Sequence, residues 1–278
     1  MSRIAILGGK GMLGSDISEL LTKENIGFEV FDLPEFDITS ASQLRDVVSR
    51  SDMIINCAAY TNVEKAEDEP EFAYKINAEA LEHLGDFAGE FGKWVLHFST
   101  DFVFDGSSDQ PYSESDLANP INVYGKSKLA GEEALLESGC DCCIVRIEWT
   151  YGRNGTNFIK KLLEFAQKRD ELKVVDDQVG SPTATTEIAK VVRDMIDKKP
   201  TGLYHFANLG YVSRYEMARF VFEYLNMPVR VIPCKSSEFK TKAQRPLNSR
   251  FNCDKIAGLI GGPIADWQGP LKSYLESL

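Results

Sequence analysis

Ile4-Ala5-Ile6-Leu7-Gly8-Gly9-Lys10-Gly11-Met12-Leu13-Gly14 decides the fold. The apolar run reads as a short buried strand, and it enters a glycine-rich turn directly. Beyond the turn, Met12, Leu13, Ile17, Leu20 and Leu21 keep a helical spacing. Strand, turn and helix in this order are the setting that Gly8-x-x-Gly11-x-x-Gly14 needs to hold a diphosphate. Gly8 permits the tight turn, Gly11 lets a pyrophosphate approach the backbone, and Gly14 lets the helix close on the strand. Free N–H groups and the helix dipole favour the anion. Glycines also fill ordinary turns, so the remaining chain must decide between the two.

Working outward, Phe28–Phe31 is a second strand ended by Asp32. Asp32 lies at about the spacing of a ribose-binding carboxylate, which accepts from both ribose hydroxyls and repels a 2′-phosphate. Taken alone it favours NADH over NADPH. Lys10 offsets this if it reaches a phosphate. Asp37-Ile38 follows a short loop where an adenine would lie. Ser40-x-x-Gln43 has the form of a capping box. Met53–Asn56 is a third strand, and the small residues of Asn56-Cys57-Ala58-Ala59-Tyr60-Thr61 leave room for a cofactor across the strand tips. Pro70 suits a first helical position, with the helix running to about Phe91. Trp94–Phe98 is a fourth strand, residues 122–136 are helical, and Cys143–Arg146 is a fifth strand.

This alternation of apolar strands and helices predicts an α/β, Rossmann-like doubly wound parallel sheet. After Tyr151 the pattern loosens, with helices predicted at 156–169, 185–198 and 213–225, the last opened by Ser213-x-x-Glu216. Short strands are predicted near Leu172–Val175, Leu203–Phe206 and Val229–Ile232. The expected division is a dinucleotide-binding domain over 1–150 and a smaller C-terminal, substrate-binding lobe over 151–278, with later segments able to complete the sheet.

The chain has 278 residues, 43% hydrophobic, enough for a large core, and a formal net charge of −11. Nucleic-acid binding rests on clustered Lys and Arg, so this balance argues against it. The residues before the glycine turn leave no room for a signal-peptide apolar segment. Nor is there an apolar run of about 18 residues, as a membrane span needs. The expectation is a cytoplasmic chain without membrane contact, whose six cysteines are thiols. Cys140-x-x-Cys143 lacks the second pair or adjacent histidines of a zinc site, and reads as loop-to-strand packing. No metal-ligand spacing stands out.

Tyr124 and Lys128 lie one turn apart on the helix after the fourth strand, so they share a face. With 10 Tyr in the chain, such a pair arises readily by chance, and context carries the weight. A free phenol, with a pKa of about 10, is a poor acid–base catalyst at neutral pH. An ammonium about 4 Å away, at an effective dielectric of about 20, attracts the tyrosinate by about 4 kcal/mol before desolvation. That would bring the phenol down to about 7. The same ammonium can hold a nicotinamide ribose. Thr100, at the tip of the fourth strand, is placed to donate a hydrogen bond to a carbonyl oxygen.

These residues carry a resemblance. The chain resembles the extended short-chain dehydrogenases/reductases, and more narrowly the dTDP-4-dehydrorhamnose reductase family. The matching segments are 56–67, 99–106, Pro120 to Glu132, Asp177-Gln178-Val179-Gly180-Ser181-Pro182-Thr183 and Arg245-Pro246-Leu247-Asn248-Ser249. The resemblance implies that Tyr124 is the proton donor, Lys128 its modulator and a cofactor ligand, and Thr100 a stabiliser of the reacting oxygen. It implies that Gly11, Met12, Leu13, Asp32, Asp37, Ile38, Ala59, Tyr60 and Thr61 line the cofactor. Thr100 and Asp101 would border the sugar, Trp149 would pack on its ring, and Arg245 would meet the nucleotide. Family members are often dimers, some with bridging Mg²⁺. Glu148 departs from the Ser or Thr usual before the tryptophan, and Phe102 from a usual tyrosine. Glu148 would put a charge near the pocket.

The implied activity is NADPH- or NADH-dependent reduction of the C4 ketone of dTDP-4-dehydro-L-rhamnose to dTDP-L-rhamnose, in the synthesis of rhamnose-bearing polysaccharide. Two alternatives stay open. One is a reductase of another 4-keto nucleotide sugar, motivated by Glu148. The other is a non-catalytic nucleotide-binding regulatory subunit, against which the complete Thr100/Tyr124/Lys128 set argues.

Overall fold

A computed structural model describes residues 3–278. Met1 and Ser2, included in the expected N-terminal domain, lie outside the described residues. Six parallel strands form the central sheet, in the order Gly202–Phe206, Cys142–Ile147, Trp94–Thr100, Met53–Asn56, Ile4–Leu7, Phe28–Phe31. The chain runs from Ile4–Leu7 to one neighbour, then returns to the other, so the order reverses between Ile4–Leu7 and Met53–Asn56. In an open parallel sheet this reversal opens a crevice at the carboxyl ends of the strands.

The strands read as unbroken apolar runs because both faces are covered. Ile4, Ile6, Ile55, Leu96 and Val145 pack on one side, against the helices Met12–Lys23 and Thr185–Lys198. Ala5, Leu7, Ile54, Val95 and Ile144 pack on the other, against the helices Ala41–Arg50, Ala80–Phe91 and Val123–Glu137. A separate core of Trp149, Tyr151, Ile159, Leu172, Met217, Phe222, Trp267 and Tyr274 builds the smaller lobe. There Glu171–Val175 pairs with Arg230–Cys234 beside the helices Phe158–Ala166, Arg214–Tyr224 and Gln268–Glu276. Among the described residues, no helix is long and apolar enough to cross a membrane.

Two expectations change. Ser40 does precede a helix, but its side chain makes no capping bond; Gln43 instead accepts from the Asp37 N–H at 2.8 Å. The helix from Pro70 is interrupted by a π turn over Lys75–Glu79. Such turns are frequent at functional sites, and here Asn77 bonds both to the backbone of Tyr60 and to Ser127. The Cys140–Cys143 segment packs from loop into strand as expected: Cys143 enters one core, while Cys140 and Cys142 face the other. All six cysteines are free thiols.

Candidate active site

The glycine turn closes the strand Ile4–Leu7 at the crevice. Gly8 has φ +72, and a Cβ there would lie 2.6 Å from the Ala58 nitrogen; one on Gly14 would lie 2.5 Å from the Gly8 carbonyl oxygen. The turn is therefore tight against the tip of Met53–Asn56. The following helix starts at Gly11 with no side-chain cap and no acidic residue in its first turn. Its leading N–H groups and positive dipole end are left for an external anion. This fits a dinucleotide diphosphate at Gly11, Met12 and Leu13. Gly8→Ala should weaken dinucleotide binding at least tenfold and cost about 1–3 kcal/mol of stability, measurable by calorimetric titration and thermal melting.

Asp32 sits at the mouth of this turn, where its carboxylate accepts from the N–H groups of Lys10 and Leu33, each at 2.8 Å. The Lys10 ammonium is held by Glu35 at 2.8 Å and the Leu33 carbonyl at 3.0 Å rather than standing free for a phosphate. Asp37 is spent on closing its own turn through Thr39, and Ile38 is 7% exposed within the core. A cleft of about 550 Å³ lies beside Asp32, lined by residues such as Phe31, Phe36, Gln43 and Arg50. None of the proposed reacting residues lines it. Across the reversal, Ala58 donates to the Asn56 side chain at 3.0 Å, and Asn77 fixes the Tyr60 backbone. Ala58, Ala59 and Tyr60 are partly open, and Thr61 is exposed.

Thr100 ends the strand Trp94–Thr100, and its oxygen accepts from the Phe102 N–H at 3.2 Å. Tyr124 lies in the first turn of Val123–Glu137, which Asn122 caps by accepting from the Gly125 N–H at 2.8 Å. The Tyr124 ring meets Phe102 edge-on at 5.4 Å between centroids, and its hydroxyl lies near Thr100. Thus Thr100 and Tyr124 do converge. Lys128, 2% exposed, points inward. Its Nζ donates to the Phe98 carbonyl at 2.7 Å and lies 3.0 Å from His97 Nε2.

The electrostatics differ from the expectation. Burial pushes Tyr124 up to about 12, against an opposing pull from the Thr100 hydrogen bond. Lys128 does not draw it down, because the ammonium is committed to Phe98 and His97. Burial lowers Lys128 itself to about 8, while Glu132 works to keep it charged. The phenol is thus held in its proton-bearing form at neutral pH, the form a reductase needs to protonate a new alkoxide. His97 is pushed well below the usual histidine range by burial and then by Lys128, so it stays neutral.

On the substrate side, Asp101 is 3% exposed and accepts from Ser249 and, at 3.0 Å, from Thr100. Burial raises its pKa. The Glu148 carboxyl accepts from the Ser181 N–H at 2.8 Å, and burial, then the neighbouring Asp101, push its pKa well above the usual carboxylate range. Trp149 has φ +45 and is 9% exposed, with the Arg214 guanidinium over its ring at 3.5 Å. One face is therefore already covered. Arg245 pairs with Glu64 at 2.8 Å.

Sequence reading missed several members of this site. His97 stands out only as a histidine inside an apolar strand. Glu132 and Arg146 form a buried pair with Nη2 to Oε2 at 2.6 Å, their side chains 2% and 5% exposed. The signal for Glu132 was its place one further turn along the face of Lys128. No group of His, Cys, Asp or Glu able to hold a metal occurs among the described residues.

A family model described as the RmlD substrate binding domain matches residues 2–278. A dTDP-4-dehydrorhamnose reductase of Escherichia coli K12 is 37% identical over 291 residues, covering 99% of this chain and 97% of that protein. One from Sinorhizobium fredii is 36% identical over 291 residues, with the same coverage of 99% and 97%. Among solved structures, a dTDP-4-dehydrorhamnose reductase of Bacillus anthracis in complex with NADP superposes with a TM-score of 0.95 at 36% identity, covering 100% and 99% of the two chains. That of Clostridium acetobutylicum gives 0.94 at 37% identity, covering 99% of each. With a strand-tip Thr100/Tyr124 pair beside a dinucleotide turn, and these matches along the whole sequence, the chain belongs to the dTDP-4-dehydrorhamnose reductase family of extended short-chain dehydrogenases/reductases.

Proposed function

We propose that this protein reduces the C4 ketone of dTDP-4-dehydro-L-rhamnose to dTDP-L-rhamnose, using NADPH or NADH. The carrying observation is the meeting of Thr100 and a proton-bearing Tyr124 at the carboxyl end of the sheet, with Lys128 buried one turn away. A bound reduced nicotinamide supplies hydride to the carbonyl carbon. Tyr124 gives its proton to the oxygen, and Thr100, whose hydroxyl turns from Asp101 to the substrate, donates a hydrogen bond that orients it. Lys128 holds the nicotinamide ribose, with Gly8, Gly11, Met12, Leu13 and Gly14 on the diphosphate. Asp32, Asp37 and Ile38 line the adenosine end, and Ala58, Ala59, Tyr60 and Thr61 the strand tips. Residues 1–150, completed by later segments, bind the dinucleotide, and the smaller lobe binds the sugar nucleotide through Asp101, Trp149 and Arg245. The reading extends to a cytoplasmic homodimer serving polysaccharide synthesis.

One observation favours a second reading. Glu148 and Arg214 flank Trp149, so the sugar of another 4-keto nucleotide sugar could be the better fit. Absorbance of the reduced nicotinamide, followed over a panel of such substrates, separates the two. No turnover of any member would discard both. Lys128, at about 8, must be charged to support the ribose. Activity should therefore fall as pH rises through about 8, seen as an alkaline limb in kcat/KM.

A further inference from the structure

We propose that Arg214, with Arg245, grips the diphosphate of the nucleotide-sugar substrate, an inference that rests on the reductase reading above. Arg214 is the first residue of the helix Arg214–Tyr224, fixed by a capping box in which Ser213 and Glu216 bond reciprocally. Its guanidinium stacks over Trp149 at 3.5 Å and lies 4.9 Å from the Phe158 ring centroid. Stacking occupies the flat face and leaves the N–H groups along the edge. Among the described residues, no carboxylate or carbonyl accepts from them. Only through-space charge reaches this side chain, from Asp101, Glu148 and Arg245.

The two nearby acids do not act as its partners. Asp101 is taken by the hydroxyls of Ser249 and Thr100, and Glu148 accepts from the Ser181 N–H. Arg245, the other cation in range, adds repulsion. A half-buried, stacked guanidinium whose donors are open, with a second arginine nearby, offers an anion two cations at once. Burial lowers Arg214 to about 9, so it remains charged at neutral pH. A diphosphate supplies the missing charge and the acceptor oxygens that a guanidinium fork matches.

Position supports the assignment. Asp101 acts on both Tyr124 and Arg214, so the phenol and the guanidinium stand around one carboxyl. A hexose with its C4 at the phenol would hold its C1-linked phosphate towards Arg214. The cofactor's diphosphate belongs to the glycine turn, at the sheet reversal.

Calorimetric titration of the full chain with dTDP and with thymidine tests this, on the wild type, Arg214→Gln and Arg214→Lys. NADPH affinity and thermal melting serve as controls for the fold. The Gln variant should lose dTDP affinity on the order of ten- to a hundred-fold, the scale of one to two charge-assisted hydrogen bonds. Lys should restore part of it, with thymidine and NADPH binding unchanged. KM for the sugar nucleotide should rise far more than kcat falls. Equal dTDP affinity in wild type and variants overturns the inference and leaves the reductase reading standing. Parallel loss of dTDP and thymidine also overturns it, since Arg214 would then only prop Trp149. A wild type that binds NADPH but no dTDP removes the reductase reading itself. Should the Gln variant fail to fold, the Lys variant, with charge kept and fork lost, decides by a several-fold loss or none.

Discussion

Tyr124→Phe should lower kcat by about three orders of magnitude while leaving dinucleotide affinity unchanged. Positioned proton transfer contributes roughly a hundred- to ten-thousand-fold, and here no second donor is poised to replace the phenol. Lys128 is bound to the Phe98 carbonyl and lies against His97, and His97 is 0% exposed and neutral. Asp101 faces Thr100 and Ser249. The substitution removes one oxygen and keeps the ring, whose edge-on contact with Phe102 at 5.4 Å survives. Folding and the glycine turn should be unaffected. Single-turnover rates at the reduced-nicotinamide band, with NADPH titrations beside them, measure both halves. A variant turning over at the wild-type rate would eliminate the assigned proton donor.

Arg146→Met should be the most destabilising single change near the site. It leaves Glu132 buried and unpaired, at a cost of about 3–5 kcal/mol. For a chain of this size that is a fall in Tm of roughly 10 °C. Arg146 binds Glu132 through Nε and Nη2, rests over Phe104 at 5.0 Å, and approaches His205 Nε2 at 3.4 Å. Adding Glu132→Leu should recover most of the stability, because the stranded charge is gone. It should not recover the alkaline tolerance of the enzyme. Glu132 is the group that raises Lys128 against burial, so its loss moves the alkaline limb of kcat/KM to lower pH. Differential scanning calorimetry and pH–rate profiles on the single and double variants separate the two effects. A double variant with the wild-type limb would break the link between Glu132 and Lys128.

The parts of this protein legible in its sequence are those set by local pattern. Gly8 to Gly14, the apolar strands and the Ser213-x-x-Glu216 box each depend on neighbours within a few residues, and each folds as read. Thr100 and Tyr124 were placed at the site because a strand tip and a helix start are local features too. What stayed hidden depends on distant partners. The Ser40-x-x-Gln43 pattern was undone by Asp37, which recruits Gln43. The π turn at Asn77 answers to Tyr60 and Ser127. The direction of the Tyr124 titration was misjudged because a spacing of four shows that Lys128 shares its face, and says nothing of Phe98 and His97 waiting beneath. The burial of Glu148 beside Asp101 and Ser181 likewise has no sequence signature.

The sixth strand of the sheet, Gly202–Phe206, lies against Cys142–Ile147 and brings His205 up to Arg146. A nascent chain halted at residue 150 would therefore end in a bare, apolar sheet edge. Its buried Glu132–Arg146 charges would be half-wrapped. About fifty more residues must leave the ribosome before that edge is sealed. The N-terminal half therefore cannot mature as an independent piece, and a truncated gene product should be caught by chaperones or aggregate.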